Sequence, residues 1–174
     1  LADEASITSM KYFRTSLDID NKSDESPVTI ADKNTELKIR SMIEKEYPNH
    51  GILGEEFDSI NPNAEFIWVI DPIDGTRSYI AGHKDFGNLI SLTQNKKPII
   101  GIINCPAHNE RWVGVKNHNT TINQQTAKTS GIEKIKDAYL FTSGLYFDEP
   151  HLRNGVKRIT EKVKYYRYGG DCYM

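Results

Sequence analysis

The sequence predicts an α+β fold in which two helices pack on a mainly antiparallel sheet, followed by the start of a second α/β part. Three observations carry this expectation. Helix-period apolar spacing marks Ala2 to about Leu17 and good helix formers fill Lys33 to Tyr47, short β-branched and aromatic runs follow from Gly51 to Lys116, and a β-α-β pattern occupies the last forty or so positions. The chain has 174 residues, 37% of them hydrophobic and 26% charged, which is enough to bury a real core. Its 22 Lys+Arg against 24 Asp+Glu leave a net charge of −2. Without an excess of clustered cations, neither nucleic acid nor an anionic membrane surface is an expected partner.

Taken in order, Ala2 to about Leu17 places Ala2, Ala5, Ile7, Met10, Phe13 and Leu17 at broadly helical spacing and predicts an amphipathic helix. Asn21 to Pro27 has turn composition. Lys33 to Tyr47 is rich in helix formers, with Leu37, Ile39, Met42 and Ile43 as its apolar positions and Pro48 as its stop. From Gly51 the texture changes. Strands are expected at Gly51 to Glu55, Phe66 to Asp71, Phe86 to Gln94, Ile99 to Asn104 and Arg111 to Lys116, with hairpin turns such as Asn95-Lys96-Lys97-Pro98 between them. Asn117 to Glu133 is polar and turn-rich. Ala138 to Thr142 then reads as a strand, His151 to Val163 as a helix and Tyr165 to Tyr168 as a strand running into Gly169-Gly170. The expected organisation is an N-terminal domain over residues 1–135 and the beginning of a second over 136–174.

The apolar runs, such as Phe66 to Ile70, are far shorter than the roughly 20 residues of a membrane span. Leu1-Ala2-Asp3-Glu4 has neither the basic lead nor the apolar stretch of a secretory signal, and a cytoplasmic location is expected. The missing initiator Met predicts a segment of a longer chain. Cys105 and Cys172 lie far apart without metal-ligand spacing and read as buried thiols. His50, His83, His108, His118 and His151 show no such spacing either and read as surface or loop residues.

The chemistry concentrates in Trp68-Val69-Ile70-Asp71-Pro72-Ile73-Asp74-Gly75-Thr76. An apolar strand delivers Asp71 at its end. Pro72 fixes the backbone, and Gly75 permits a tight turn that aims main-chain N–H groups at whatever Asp71 and Asp74 face. Two carboxylates that close need a compensating hard cation, Mg²⁺ or Mn²⁺, and a phosphate can supply further oxygens. A helix starting near Thr76 would add its N-terminal amides. The plainer alternative makes Asp71 a turn cap and Asp74-Gly75 a turn pair. Gly54-Glu55-Glu56 ends another apolar strand, and strand ends are where neighbouring side chains converge on a metal, so Glu55 is a further candidate ligand. Asp32, in Pro27-Val28-Thr29-Ile30-Ala31-Asp32, reads either as a helix N-cap or as a further site carboxylate within reach of Thr76. A haloacid-dehalogenase nucleophile is absent, because the position two before Asp74 is Pro72, and no Gly-x-x-x-x-Gly-Lys phosphate loop occurs.

Ser26 to Asp32, Gly54-Glu55-Glu56 and Trp68 to Thr76, in this order and spacing, resemble the inositol monophosphatase superfamily of Mg²⁺-dependent, lithium-sensitive phosphatases, and the resemblance runs the length of the chain. It implies a layered αβαβα sandwich of the sugar-phosphatase type. Asp74 to Tyr79 and Arg167-Tyr168-Gly169-Gly170-Asp171-Cys172-Tyr173 are most similar to the histidinol-phosphatase branch of histidine biosynthesis. The resemblance makes Glu55, Asp71, Asp74 and the main-chain carbonyl of Ile73 ligands for two or three Mg²⁺ ions, with Mn²⁺ as a substitute. It makes Gly75 and Thr76 phosphate contacts through their N–H groups, and Asp32 and the Thr76 hydroxyl the groups that orient a metal-activated water for direct attack. Arg77 either meets the phosphate or covers the helix start, and Glu56 either supports the site or is exposed. Gly170 lets the backbone approach a ligand. Asp171 either pairs with the amine or imidazole of histidinol phosphate or caps the next helix.

The implied substrate is therefore a small phosphorylated metabolite, histidinol phosphate ahead of inositol-1-phosphate or a related sugar or nucleotide phosphate, and the implied assembly is a homodimer. The family's later Trp-Asp-x-Ala-x-Gly signature, whose Asp completes the metal site, is expected after Met174. Lacking that ligand, the segment has a reading of another class as an incompetent metal- or phosphate-binding or regulatory module.

Overall fold

The computed structural model describes residues 1–16, 19–21, 27–142, 149–169 and 172. The chain divides into two compact units, Leu1–Ala127 and Lys128–Met174. In the first, α1 (Ala2–Tyr12) and α2 (Ile30–Glu46) pack together. Behind them lies a seven-stranded sheet in sequential order: β3 (Gly51–Leu53), β4 (Phe66–Asp74), β5 (Gly87–Gln94), β6 (Lys97–Cys105), β7 (Glu110–Val115), β8 (Thr121–Ile122) and β9 (Gln125–Thr126). Every neighbouring pair is antiparallel except β3 and β4, which run parallel. A short α3 (Thr76–Ile80) follows β4, and β1 (Ile19–Asn21) pairs antiparallel with β2 (Pro27–Thr29) just before α2. The second unit is the expected β-α-β: β10 (Tyr139–Thr142), α4 (Pro150–Thr160) and β11 (Tyr165–Tyr168), with β10 and β11 parallel. Among the described residues no helix is long and apolar enough to cross a membrane.

Period-2 alternation fixes which strand residues meet the helices. Trp68 and Ile70 of β4 face Leu92 and Ile90 of β5 in register, and these four form one core with Ala2 and Ala5 of α1, Ile39 and Ile43 of α2, and Ile52 of β3. A second, smaller cluster of Ala31, Ile73, Tyr79 and Phe86, joined by Tyr12, Phe13 and Ala107, lies beneath the end of β4.

Four expectations need correction. α1 stops at Tyr12 rather than near Leu17, because Phe13 turns extended (φ −63°, ψ 128°); Leu17 lies outside the described residues. Its buried face is Ala2, Ala5 and Ser9, while Ile7 is 65% exposed. Of the apolar positions expected inside, Ala2 and Ala5 are in the core and Phe13 packs on the second cluster, while Ile7 and Met10 are exposed and the buried Ser9 was not expected. α2 begins at Ile30, three residues earlier than expected, because Thr29 is the N-cap and Asp32 is the third helical residue of a capping box. The N-cap reading of Asp32 is thereby replaced. Its carboxylate Oδ2 accepts from the Thr29 N–H (2.8 Å) and the Thr29 hydroxyl (2.6 Å), and that hydroxyl accepts from Ala31 N (3.1 Å). Lastly, Asn117 to Glu133, expected as loop, contains β8 and β9, and the two ends of the expected turn at Asn21 to Pro27 lie in β1 and β2.

A buried polar network ties α1 to the sheet. The fully buried Asn88 of β5 donates to the Pro72 carbonyl (2.7 Å) and to Ser9 Oγ (3.3 Å), and its Oδ1 accepts from Asn104 of β6 (2.8 Å). Asn104 also donates to Ser6 Oγ (2.8 Å) and accepts from Arg111 Nε (2.9 Å). Each of these side-chain polar groups is satisfied inside the protein, as burial requires. His50, expected as a plain loop residue, is half-buried between Tyr47 and Phe66 at ring-centroid distances of 4.9 and 5.1 Å, and its Nδ1 accepts from the Trp68 indole (3.1 Å). Cys105 and Cys172 are buried, as expected.

Candidate metal and phosphate site

The site follows from the one parallel pairing in the sheet. Gly51, Ile52 and Leu53 lie opposite Ile67, Trp68 and Val69, so both strands end on the same side, and the same register carried two residues further sets Glu55 beside Asp71. The two carboxyl groups share a hydrogen bond. Between Asp71 and Asp74 the β4 to β5 register shifts, and Pro72, which has no N–H to give to a ladder, sits in that irregularity. The bulge falls between the two aspartates, at the end of β4. Two contacts hold it. Ile73 buries its side chain in the lower cluster, and Asn88 grips the Pro72 carbonyl.

Gly75 then adopts φ 86°, ψ 38°, a left-handed conformation costly for a residue with a Cβ, and serves as N-cap of α3. The helix start expected near Thr76 is therefore present. The Thr76 hydroxyl donates to the Ile73 carbonyl at 3.1 Å, which leaves its oxygen lone pairs as acceptors. Tyr79 anchors α3 from below, its hydroxyl donating to the Ser9 carbonyl at 2.6 Å. Burial pushes the Tyr79 phenol up, with the charge of Asp32 and the neighbouring Tyr12 adding to the shift.

Electrostatics define what this corner lacks. Burial pushes the Asp71 carboxyl up from its ordinary value of 3.8 to about 8, helped by the charge and hydrogen bond of Glu55 and by the charges of Asp74 and Asp32. Its Oδ1 is buried without a hydrogen-bond partner. A buried, partnerless carboxylate oxygen ringed by acids is suited to a hard cation, and carboxylates with a main-chain carbonyl are the oxygen donors Mg²⁺ selects. Among the described residues no three His, Cys, Asp or Glu side chains stand together in a metal-holding arrangement. Glu55 and Arg77 are exposed, Glu56 and Asp74 are half-buried, and Asp32 is buried. Gly170 and Asp171 lie outside the described residues.

Two residues of this corner escaped the sequence reading. Glu36 and Arg40 of α2 form a buried ion pair (Nε to Oε1, 2.7 Å) that holds the segment carrying Glu55. The available signal was the spacing of Asp32, Glu36 and Arg40, four residues apart on one helix face.

The Asp71 shift carries a pH prediction. The folded chain keeps that proton up to about pH 8, while an unfolded chain releases it near pH 4, so between those values the folded state binds more protons and stability falls as pH rises. Melting temperatures of the metal-free protein should therefore drop across this window. Mg²⁺ should raise them more at its upper end, because the cation must displace the proton. Equal Mg²⁺ stabilisation at both ends would contradict this.

Comparisons with known proteins show the family and the fold. The bifunctional phosphatase IMPL2, chloroplastic, of Arabidopsis thaliana is 41% identical over 175 residues, covering 99% of this chain and 51% of that protein. The histidinol-phosphatase of Chlorobaculum parvum is 35% identical over 175 residues, covering 99% of this chain and 68% of that one. Among solved structures, that of an inositol monophosphatase from Zymomonas mobilis superposes with a TM-score of 0.85 at 41% identity, over 99% of this chain and 66% of that chain. The chain thus spans between half and about two thirds of the length of these relatives. The sequence model of the Inositol monophosphatase family matches residues 1–173, and the chain belongs to that family.

Proposed function

We propose that the protein is a Mg²⁺-dependent phosphomonoester hydrolase acting on a small metabolite, with histidinol phosphate as the preferred substrate. The observation that carries the reading is the hydrogen bond between Glu55, just past the end of β3, and Asp71 of the parallel neighbour β4, beside a buried Asp71 oxygen that has no hydrogen-bond partner. In this reading Glu55, Asp71, Asp74 and the Ile73 carbonyl hold the cation. Mg²⁺ supplies charge neutralisation at the phosphoryl oxygens and a more acidic water. The protein does the rest. Gly75 and Thr76 offer first-turn N–H groups, which have no intrahelical partner, to the phosphate. Asp32, fixed through Oδ2 by two Thr29 bonds, and the Thr76 hydroxyl orient the water for in-line displacement, with no covalent enzyme intermediate. In this reading Arg77, exposed in the first turn of α3, meets the phosphate.

Relatives named histidinol-phosphatase at 35%, 30% and 31% identity support the substrate choice. The Zymomonas mobilis structure and a 27% identical inositol monophosphatase of Mesembryanthemum crystallinum favour inositol-1-phosphate as the second reading. A homodimer in the cytoplasm completes the proposal. The test is phosphate release by the natural full-length protein from each substrate, with and without Mg²⁺. Histidinol phosphate should be turned over with at least about tenfold higher kcat/KM than inositol-1-phosphate, a difference of ~1.4 kcal/mol. The reverse order transfers the assignment to inositol phosphate. No Mg²⁺-dependent turnover of any phosphomonoester removes the enzyme reading and leaves a binding module.

A further inference from the structure

We infer that Glu36 and Arg40, buried on α2, are positioning residues that set the placement of Glu55 and thereby the affinity of the site for its cation; this rests on the proposed role of Glu55 as a ligand. Glu36 is fully buried. Its Oε1 accepts from Arg40 Nε at 2.7 Å, and its Oε2 accepts the backbone N–H groups of Glu55 (3.0 Å) and Glu56 (2.8 Å). Arg40 uses its remaining nitrogens on the same segment, donating from Nη1 to the Asp58 carbonyl (3.0 Å) and from Nη2 to the Phe57 carbonyl (2.8 Å). Its guanidinium also lies 5.7 Å from the centroid of the Phe57 ring.

Residues 54–58 lie outside helix and strand. Their backbone groups are instead gripped by one buried ion pair, and charge-assisted bonds of this kind are short and directional. Because the pair is neutral overall, it adds no net charge beside the acidic corner. Asp32 and Glu36 are one helical turn apart, about 6 Å along the axis, so a single rigid helix fixes both Asp32 and the backbone of Glu55. Gly54 shows how tight the clamp is. A Cβ there would overlap the Glu36 carboxyl group and lie 2.7 Å from Arg40 Nη2.

A carboxylate can accept on both oxygens, while an amide of the same shape can accept on only one. Glu36→Gln therefore loses either the Arg40 bond or the two amides of the Glu55 segment. Gly54→Ala disturbs the same contact from the opposite side and serves if Glu36→Gln does not fold. The experiment is Mn²⁺ binding to the full-length protein by calorimetry, for the wild type, Glu36→Gln, Gly54→Ala, Glu55→Gln and the double variants with Glu55→Gln. Glu36→Gln and Gly54→Ala should each weaken Mn²⁺ about 10- to 100-fold, the range seen when groups that orient a metal ligand are removed. In the Glu55→Gln background either change should cost less than about twofold, because the ligand it positions is already gone. Wild-type affinity in folded Glu36→Gln or Gly54→Ala, or losses that simply multiply in the doubles, would overturn the inference. If Glu55→Gln alone keeps wild-type affinity, the ligand reading of Glu55 fails first and takes the inference with it. In the wild type, the Glu55 and Glu56 amides should be protected from hydrogen exchange, and their exchange at unstructured rates would also overturn the clamp.

Discussion

Replacing Asp71 with Asn is expected to lower Mg²⁺-dependent turnover at least about a thousandfold, ~4 kcal/mol in transition-state stabilisation, while leaving the fold intact. The side chain keeps its size, and the backbone pairing of position 71 with Leu89 does not involve the carboxyl group. What disappears is a charge. Asp71 is the carboxyl on which Glu55, Asp74 and Asp32 all act, and the one with an unpartnered buried oxygen. Removing it relieves repulsion in the metal-free protein, so Asp71→Asn should melt higher than the wild type near pH 8 and should flatten the decline in stability that the wild type shows from about pH 4 upward. Loss of activity with gain of metal-free stability is a signature that general misfolding cannot produce. Turnover within about tenfold of wild type would sink the assignment, and a melting temperature below wild type near pH 8 would show that the carboxyl group has another partner.

Phe86→Ala should cost about 3–5 kcal/mol, which is on the order of a third of the whole stability of a typical domain. Phe86 is completely buried at the entrance to β5. Its ring stands edge-on to Tyr79 (4.8 Å, 88°) and tilted against Phe13 (5.0 Å, 45°), and Ile73 and Ala31 complete the cluster. Truncation would open a cavity at the place where α1, the start of α2, the bulged end of β4 and α3 all meet. Thermal unfolding should show a drop on the order of 10 °C. A loss below about 1 kcal/mol would mean that the cluster collapses readily onto the missing ring. Because Tyr79 holds α3 and Ile73 holds the bulge, the same variant should raise KM for a phosphomonoester before it lowers kcat.

Local strings of the site were legible in the sequence because each packs its chemistry into contiguous residues. Asp71 to Thr76 already contains strand end, bulge proline, left-handed glycine and helix start. That Glu55 meets Asp71 depends on the parallel pairing of β3 with β4, a long-range contact with only the shared apolar strand character as a trace. The strands of the sheet were legible from alternating apolar residues and their turns. The helix faces were less so. On α1 the expected Ala2 and Ala5 are buried, but Ile7 and Met10 are exposed and Ser9, whose hydroxyl gives no apolar signal, is buried in their place. Glu36 and Arg40 share a helix face with Asp32 in sequence, but an i,i+4 ion pair reads as solvated by default, and the segment they grip shows them to be interior. β8 and β9, two residues each, are too short for any periodicity to mark.

The asparagines that join α1 to the sheet have a consequence for how the chain finds its native arrangement. Moving β5 or β6 by a single residue along its neighbour would send Asn88 or Asn104 to the opposite face and put an apolar side chain against Ser6 and Ser9. Hydrophobic residues on both sides of these positions would tolerate such a slip, since one isoleucine packs much like the next. The paired amides would not, because each would leave a buried partner unsatisfied. The network therefore acts as a proofreading device for strand alignment, and through the Pro72 carbonyl it ties correct alignment directly to the bulge that carries Asp71 and Asp74.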